Sequence, residues 1–225
     1  MKKSLLLIVF LAAVSIASAQ KTFTFGPKVG FNISDIGMKM EDDGSESSSD
    51  SDISGAKPTL VIGAFAEFRP VKVFGLSVDV LYSRQGMKDD ISLSAGSFNM
   101  SATNNIRLHY LNVPVMANIY IIGGLAFKAG IQPGFLLGAK SINDVSDDSG
   151  SQSTTTDLKK AGALKNVDVT IPVGLAYSFN FGLVLDARYN IPFNNIASSK
   201  FNDISEIGTT KVTNRVFTFT AGWRF

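Results

Sequence analysis

The sequence predicts an all-β protein, an eight-stranded antiparallel up-and-down transmembrane β-barrel. Eight segments alternate apolar and polar residues with the period of two that a strand requires. The connections between these segments alternate strictly between short and long. The first nineteen residues have the parts of an export signal. Membrane-spanning barrels have an even number of strands of roughly 9 to 11 residues, short periplasmic turns and longer external loops, which is the arrangement predicted here.

Met1 to Ala19 is predicted to be a cleaved secretory signal peptide, followed by one β-barrel domain over residues 20–225. Two lysines precede an apolar run from Leu5 to Val14, and Ala17 to Ala19 form a small-residue cleavage site. The alternative is an N-terminal membrane anchor, but the apolar run is too short to span a bilayer. No cysteine follows the cleavage site, which excludes a lipoprotein anchor.

The composition excludes several classes of function. The chain is 45% hydrophobic and 18% charged, which is more apolar than a typical soluble domain. The absence of cysteine excludes disulfides, thiolate nucleophiles and cysteine metal sites. Two of the 21 basic residues lie in the signal peptide, which leaves 19 against 19 acidic residues. The mature chain therefore lacks the basic excess typical of nucleic-acid binding, and no nucleic-acid partner is predicted.

The first three predicted strands are Lys21 to Ser34, Thr59 to Arg69 and Gly75 to Gly86. In each strand, apolar residues occupy every second position, while glycine, polar or charged residues occupy most of the others. Pro70 to Phe74 is predicted to be a tight turn, because proline cannot continue a central ladder.

The fourth and fifth strands come from a region that also meets the length rule for a transmembrane helix. Leu108 to Phe127 has no charged residue, but polar residues and a proline recur at every second position. Gly123-Gly124 supplies a hairpin turn, and the alternation resumes from Leu125 to Phe135. We therefore predict two strands. Tyr110 beside Leu111 breaks the alternation and predicts a bulge or a register change.

The remaining predicted strands are Val167 to Ser178, Leu183 to Asn190 and Thr213 to Phe225. A soluble lipocalin-like barrel is the alternative fold, and it would place large apolar residues inside and polar residues outside. The residues opposite the bulky apolar face are Gly, Thr, Asn, Lys and Asp, which favours an apolar exterior in lipid. The short connections lie near residues 72, 122 and 180, and the long ones are Ser34 to Pro58, Met87 to Asn105, Ala139 to Asn166 and Pro192 to Val212.

The closing strand is aromatic along one face and ends on Phe225. This pattern resembles the C-terminal signature of bacterial outer-membrane β-barrels, which the barrel assembly machinery recognises, and it implies that Phe225 is an assembly signal. The segments LHYLNVPVMA, GIQPGFLL, LDARYNIP and FTAGWRF resemble the porin-like outer-membrane β-barrel family that includes PorT-type proteins. The resemblance implies the fold and a place in the cell outer membrane, with no catalytic residues carried over.

Seven charged residues of both signs point inward by the predicted alternation. An eight-stranded barrel is only wide enough for side chains to fill its interior, and an unpaired buried charge is costly. We therefore predict a plug of paired charges, with a narrow gated ion path along the same residues as the alternative. The seven are Lys28, Glu67, Asp79, Lys128, Asp186, Arg188 and Arg224.

The first long loop contains six acidic residues within twelve positions: Glu41, Asp42, Asp43, Glu46, Asp50 and Asp52. Such a loop could bind Ca²⁺ or a basic partner, because carboxylate oxygens are calcium ligands. The spacing does not match an EF-hand, since no suitable glutamate closes it. The alternative is a disordered, solvated loop, and Ser146 to Asp157 has a similar composition. No metal and no cofactor are predicted.

His109 is the only histidine and begins the fourth strand at the outer rim. Some eight-stranded outer-membrane barrels are lipid-modifying enzymes that use a histidine near this rim. A hydrolase would need a serine, an acid and an oxyanion donor around it, and the sequence fixes none of them. The sequence therefore predicts no enzymatic activity.

The function predicted is that of a structural and surface-interaction protein, acting through its external loops or as a component of a surface or secretion complex. A narrow gated channel for ions or very small solutes is one alternative, and a lipid-modifying enzyme is another. The predicted partners are outer-membrane lipid, the barrel assembly machinery, and an extracellular or secretion-complex protein.

Overall fold

The computed structural model describes residues 22–42, 45–49, 58–95, 98–147, 150–198 and 209–225, so the predicted signal peptide lies outside the described residues. Within these ranges the secondary structure is eleven β-strands. No helix among the described residues is long and apolar enough to cross a membrane. The strands are β1 (Phe23–Asp42), β2 (Ser45–Ser49), β3 (Pro58–Val71), β4 (Phe74–Ala95), β5 (Phe98–Asn112), β6 (Val115–Ile122), β7 (Leu125–Asp147), β8 (Gly150–Asp157), β9 (Val167–Ser178), β10 (Leu183–Pro192) and β11 (Thr209–Trp223).

The strands close into a ring of eight barrel positions. β5 and β6 share one position, because both pair with β4 in a single unbroken register. The order around the ring is β1, β3, β4, β5 with β6, β7, β9, β10 and β11, and each strand is antiparallel to its neighbours. β11 then pairs with β1, from Lys28↔Gly222 to Glu41↔Thr209, and closes the barrel. The predicted eight-stranded antiparallel barrel is confirmed. β2 and β8 lie outside the ring, paired with the distal ends of β1 and β7.

The three short turns lie where the sequence predicts them, between β3 and β4, β6 and β7, and β9 and β10. Gly123 and Gly182 adopt positive φ angles of 56° and 110° in two of these turns, which favours glycine there. At the opposite end the strands run further than predicted. β4 and β5 stay paired as far as Ala95↔Phe98, so the predicted loop from Met87 to Asn105 is wrong.

The same correction applies to the start of the loop predicted from Ala139 to Asn166, where β7 pairs with β8 as far as Asp147↔Gly150. In the β4 and β5 ribbon, apolar residues such as Ile91, Leu93, Phe98 and Met100 recur at alternate positions, and the prediction overlooked this alternation. In β7 and β8 the reason is different, because Ser, Thr, Asn and Asp occupy both sets of alternate positions. Away from lipid, a ladder needs no apolar face, and so the alternation that identifies a spanning strand fades while the backbone pairing continues.

The predicted irregularity beside Tyr110 is confirmed, although it belongs to the neighbouring strand. Between β5 and β7 the register shifts at this point, with Tyr110 opposite Leu136 and His109 opposite Gly138. The extra residue is therefore Leu137 of β7. Tyr110 keeps the inward alternation of β5 and is only 1% exposed, while the alternation of β7 changes phase across the bulge.

The two faces of the wall have opposite character. Outward side chains such as Phe31, Ile62 and Leu175 are large, apolar and about half exposed. Inward side chains are mainly polar or small, and many of them are buried. This is the reverse of a soluble barrel, as an exterior in lipid requires.

An apolar cap lies over the outer part of the interior. Ile196 and Ala197 pack against the inward residues Leu108, Tyr110 and Leu136, together with Ala139 and Val212. A bridge between Leu164 and Ala197 and the hydrogen bond from the Ile196 amide to the Val212 carbonyl hold the cap in place. Ile196 and Ala197 come from a connection that carries no strand-like alternation, and the cap was therefore not predicted from the sequence.

Candidate functional site

Five charged side chains from four strands meet in the barrel interior. They are Lys28 of β1, Asp79 of β4, Lys128 of β7, and Asp186 and Arg188 of β10. Each lies on the inward face of its strand, as the alternation predicts. Asp186 and Arg188 are two positions apart and therefore point the same way. We call these five residues the interior charge cluster.

The two aspartates connect the three cations. The Asp79 carboxylate accepts hydrogen bonds from Lys28 Nζ and Arg188 Nη2, both at 2.9 Å. The Asp186 carboxylate accepts one from Lys128 Nζ at 2.8 Å and lies 3.3 Å from Arg188 Nε and 3.5 Å from Lys28 Nζ. All five side chains are at most 7% exposed. The ion pairs are therefore screened very little by solvent or salt.

The interior charge cluster has more cations than anions. Three cations face two carboxylates, so its formal charge is +1. Asp79 Oδ1, Asp186 Oδ1 and Arg188 Nε have no hydrogen-bond partner among the described residues. Lys28 Nζ also lies 5.1 Å from the centre of the Phe65 ring, close enough for a cation–π contact that offsets part of the excess charge.

Two of the seven predicted interior charges lie apart from the cluster, towards the short turns. Glu67 accepts a hydrogen bond from the Tyr120 hydroxyl, and the guanidinium of Arg69 lies 3.4 Å from the centre of the Tyr120 ring. Arg224 lies beyond the end of β11, and its guanidinium donates to the carbonyl of Phe179 at 3.3 Å. Neither residue contributes to the cluster.

A second polar group lies on the other side of the cluster, around a cavity of about 10 Å³. Asn214 Nδ2 donates to Gln85 Oε1 at 2.6 Å, and Asn190 Nδ2 donates to the carbonyl of Val216 at 3.1 Å. Asp168 lines the same cavity and is 6% exposed. Asp168 was not among the predicted interior charges, although its inward position in the alternation of β9 was a sufficient signal.

Most of the acidic loop lies outside the described side chains. Asp43, Asp50 and Asp52 are not among the described residues, and for Glu41, Asp42 and Glu46 only the backbone is described, in β1 and β2. Within the described part of the chain, no three His, Asp or Glu side chains are placed to hold a metal ion. The calcium hypothesis for this loop stays a prediction.

His109 and Phe225 lie on the outer wall and at the closing end of the barrel. His109 Nδ1 lies 2.6 Å from the hydroxyl of Tyr82, and among the described side chains no serine or carboxylate is hydrogen-bonded to the imidazole. The Phe225 amide donates to the carbonyl of Phe25 at 2.9 Å, and the two rings lie 6.2 Å apart. The Phe225 side chain is 67% exposed.

Residues 18–198 match the sequence model of a family described as the outer membrane protein β-barrel domain. Solved structures similar to the chain include Ail of Yersinia pestis, crystallised with the heparin analogue sucrose octasulfate, at 13% identity and a TM-score of 0.39 over 90% of this chain and 99% of that one. Neisserial surface protein A is 15% identical, with a TM-score of 0.34 over 91% and 96% of the two chains. OprG of Pseudomonas aeruginosa is 14% identical, with a TM-score of 0.36 over 92% and 97%. None of the curated proteins compared with the chain matches it.

Proposed function

The chain belongs to the outer membrane protein β-barrel domain family, and from that premise we propose that it is a surface-interaction protein of the cell outer membrane with a closed interior. Its external loops contact an extracellular molecule or another component of a surface or secretion complex. The motif order noted above supports a porin-like, PorT-type member that is exported by a cleaved signal peptide and inserted by the barrel assembly machinery.

The observation that carries the closed interior is the burial of the charge cluster. A conducting path needs water beside the charges that line it, whereas Lys28, Asp79 and Arg188 have side chains 1%, 0% and 2% exposed. Each of these groups is instead engaged by an opposite charge within 3 Å. The apolar cap around Ile196 supports the same conclusion, because it covers the interior beyond the cluster.

The surface role rests on the strands that continue past the apolar exterior. The last bulky row on the wall contains Tyr82 of β4 and Leu111 of β5, and the two strands then continue as a paired ribbon to Ala95 and Phe98. Thirteen further residues on β4 correspond to roughly 40 Å along the strand. The β7 and β8 hairpin forms a second extension, and every residue from Gly150 to Thr156 in β8 is exposed. The β8 strand of this hairpin gives an external partner an exposed polar surface.

The test is planar-bilayer conductance of the refolded mature chain, with a heat-modifiability gel to prove folding. We expect no openings from the wild type, and discrete openings from an Asp186→Asn/Arg188→Gln variant, because this pair of changes removes contacts that close the interior. The matched control is Asp157→Asn/Lys160→Gln, which neutralises an exposed ion pair of 3.9 Å and should stay silent. Regular openings from folded wild-type protein would contradict the closed interior.

The second candidate function is a narrow gated channel, favoured by the unbalanced charge of the cluster. The cluster has one excess cation and several polar atoms without hydrogen-bond partners. A permanent plug would be expected to have a more complete hydrogen-bond network. Openings from the wild type would then be selective for anions, because the excess charge is positive. For a lipid-modifying enzyme, the surroundings of His109 give no comparable support.

A further inference from the structure

The outer wall carries a basic patch directly beyond the apolar surface. Arg84 lies opposite His109 across β4 and β5, and Arg107 lies opposite Lys140 across β5 and β7. Adjacent barrel strands are about 4.8 Å apart, so these four residues are close neighbours on one surface. The three cations also act electrostatically on His109. We call Arg84, Arg107 and Lys140 the basic wall patch.

The patch faces outward, at the level of the lipid headgroups. Arg84, Arg107 and Lys140 are exposed, whereas inward neighbours such as Gln85 and Leu108 are buried. The preceding outward row consists of Tyr82, Leu111 and Phe135, and the exposed bulge residue Leu137 of β7 lies between this row and the patch. Aromatic girdles of barrels lie at the membrane interface, and the Tyr82 hydroxyl hydrogen-bonded to His109 fits that position.

One carboxylate adjoins the patch in the described strands, because Asp157 of β8 lies opposite Lys140 in the register of β7 and β8. The outward positions from 82 to 86 on β4, 107 to 111 on β5 and 135 to 140 on β7 carry no carboxylate. In the part of the chain that the structure describes, no ion pair involves Arg84, Arg107 or Lys140. By contrast, the exposed Lys160 has Asp157 as a partner at 3.9 Å. Among the described residues of these strands, the three cations on two adjacent outward rows outnumber the single carboxylate beside them, so the patch forms a site for a negatively charged group.

A cleft beside the patch adds a shaped binding surface. It has a volume of about 240 Å³ and is lined by Arg84 and Arg107 together with Thr59, Gly86 and Asn105, among other residues. Gly86 has a φ of 143°, and a Cβ there would lie 1.9 Å from the carbonyl oxygen of Ile106. Only glycine fits at this position, so no side chain from it fills the cleft. The cleft therefore combines two guanidinium groups with hydrogen-bonding side chains from neighbouring strands.

We propose that the basic wall patch binds the phosphate groups of an outer-leaflet lipid headgroup, such as those of lipid A in lipopolysaccharide. Guanidinium groups bind phosphate with two parallel hydrogen bonds, which Arg84 and Arg107 supply, and Lys140 adds a point charge. The acyl chains of the same lipid lie along the apolar row of Tyr82, Leu111 and Phe135. The ligand is a membrane lipid because the patch faces the bilayer and directly adjoins the apolar surface of the barrel.

The experiment measures binding of bisphosphorylated lipid A to the refolded mature chain in a neutral detergent, by native mass spectrometry. The patch variant is Arg84→Gln/Arg107→Gln/Lys140→Gln, and the matched control removes three exposed charges elsewhere, Lys72→Gln/Lys160→Gln/Lys165→Gln. Each cation near an anionic lipid surface contributes about a fivefold change, so we expect the patch variant to bind about a hundredfold more weakly. The control variant should bind as the wild type does, and a heat-modifiability gel verifies that all three proteins are folded.

Several results would overturn the proposal. Equal binding by the wild type and the patch variant would show that these cations do not hold the lipid. An equal loss of lipid A binding in the control variant would show that binding depends on the net charge of the protein and not on the patch. Equal binding of lipid A stripped of both phosphates would exclude phosphate as the recognised group. Displacement of the lipid by an equimolar amount of inorganic phosphate would mean that the site takes free phosphate and that the acyl chains contribute nothing.

Discussion

Replacing Asp186 by asparagine should strongly destabilise the barrel, whereas replacing Lys128 by methionine should not. Asp186 lies within 3.5 Å of nitrogens of Lys28, Lys128 and Arg188. Asp186→Asn keeps the volume of the side chain but leaves three buried cations with one carboxylate, that of Asp79. Removing one partner of a buried ion pair costs about 3–5 kcal/mol, which is the loss of stability expected here.

Lys128→Met is the matched control, because it removes a positive charge from the same cluster, whereas Asp186→Asn removes a negative one. Among the anions of the cluster, Lys128 contacts Asp186 alone, and Asp186 keeps Lys28 and Arg188 when Lys128 is lost. The remaining four charges sum to zero, and a hydrophobic side chain of similar volume replaces the lysine. We expect a change of about 1 kcal/mol or less in the free energy of unfolding.

The assay is equilibrium unfolding by urea of each protein folded into lipid vesicles. The single tryptophan, Trp223, lies on the outward face at the end of β11 and is 44% exposed, so its fluorescence reports the transfer from lipid to water. Equal losses for the two variants would refute the argument from excess positive charge. No loss for Asp186→Asn would show that water reaches the cluster and compensates the missing carboxylate.

Three further predictions concern the wall and the ends of the barrel. Gly130→Ala should prevent formation of the heat-modifiable folded band, because the new Cβ would lie 2.0 Å from a carbonyl oxygen of β6, whereas at Gly138 the nearest atom is 3.9 Å away and alanine should be tolerated. Phe225→Ala should reduce assembly in cells but leave refolding in detergent almost unchanged, since the exposed ring has few contacts to lose. Tyr120→Phe should lower the free energy of unfolding in urea by about 1.5–3 kcal/mol, because it removes a hydrogen bond to the carboxylate of Glu67.

The barrel was predictable from sequence because lipid enforces a strict alternation of side chains. An apolar residue such as Leu76 or Val78 must point outward to lipid, so the alternation shows which face it lies on. The positions of the short turns follow from Pro70 and from Gly123-Gly124. The prediction failed where water replaces lipid. In β8 and the end of β7, nothing in the sequence distinguishes a solvated ribbon from a loop, because neither requires an apolar face. In the segment from Met87 to Asn105, apolar residues such as Ile91, Leu93 and Met100 do recur at alternate positions, and the prediction overlooked them.

The candidate site was predictable only in part, for a related reason. The alternation identifies Lys28 and Asp186 as inward residues, but it says nothing of their height in the barrel. Height depends on the stagger between neighbouring strands, which only the pairing registers reveal. Glu67 and Arg224 share the inward assignment and yet lie at the short-turn end, away from the cluster.

A strand has two faces, and along most of each strand in this barrel one face contacts the membrane and the other faces the interior. Any residue that serves recognition must therefore lie on lipid-facing wall, in the interior, or beyond the last apolar row. The interior offers a partner little room, since the cavity beside Asp168 measures about 10 Å³ and the charges below it contact one another. The wall offers a phosphate-bearing lipid the patch around Arg84 and Arg107. We therefore expect specific recognition of an external molecule at the strand extensions of β4 with β5 and of β7 with β8, which continue past the apolar wall.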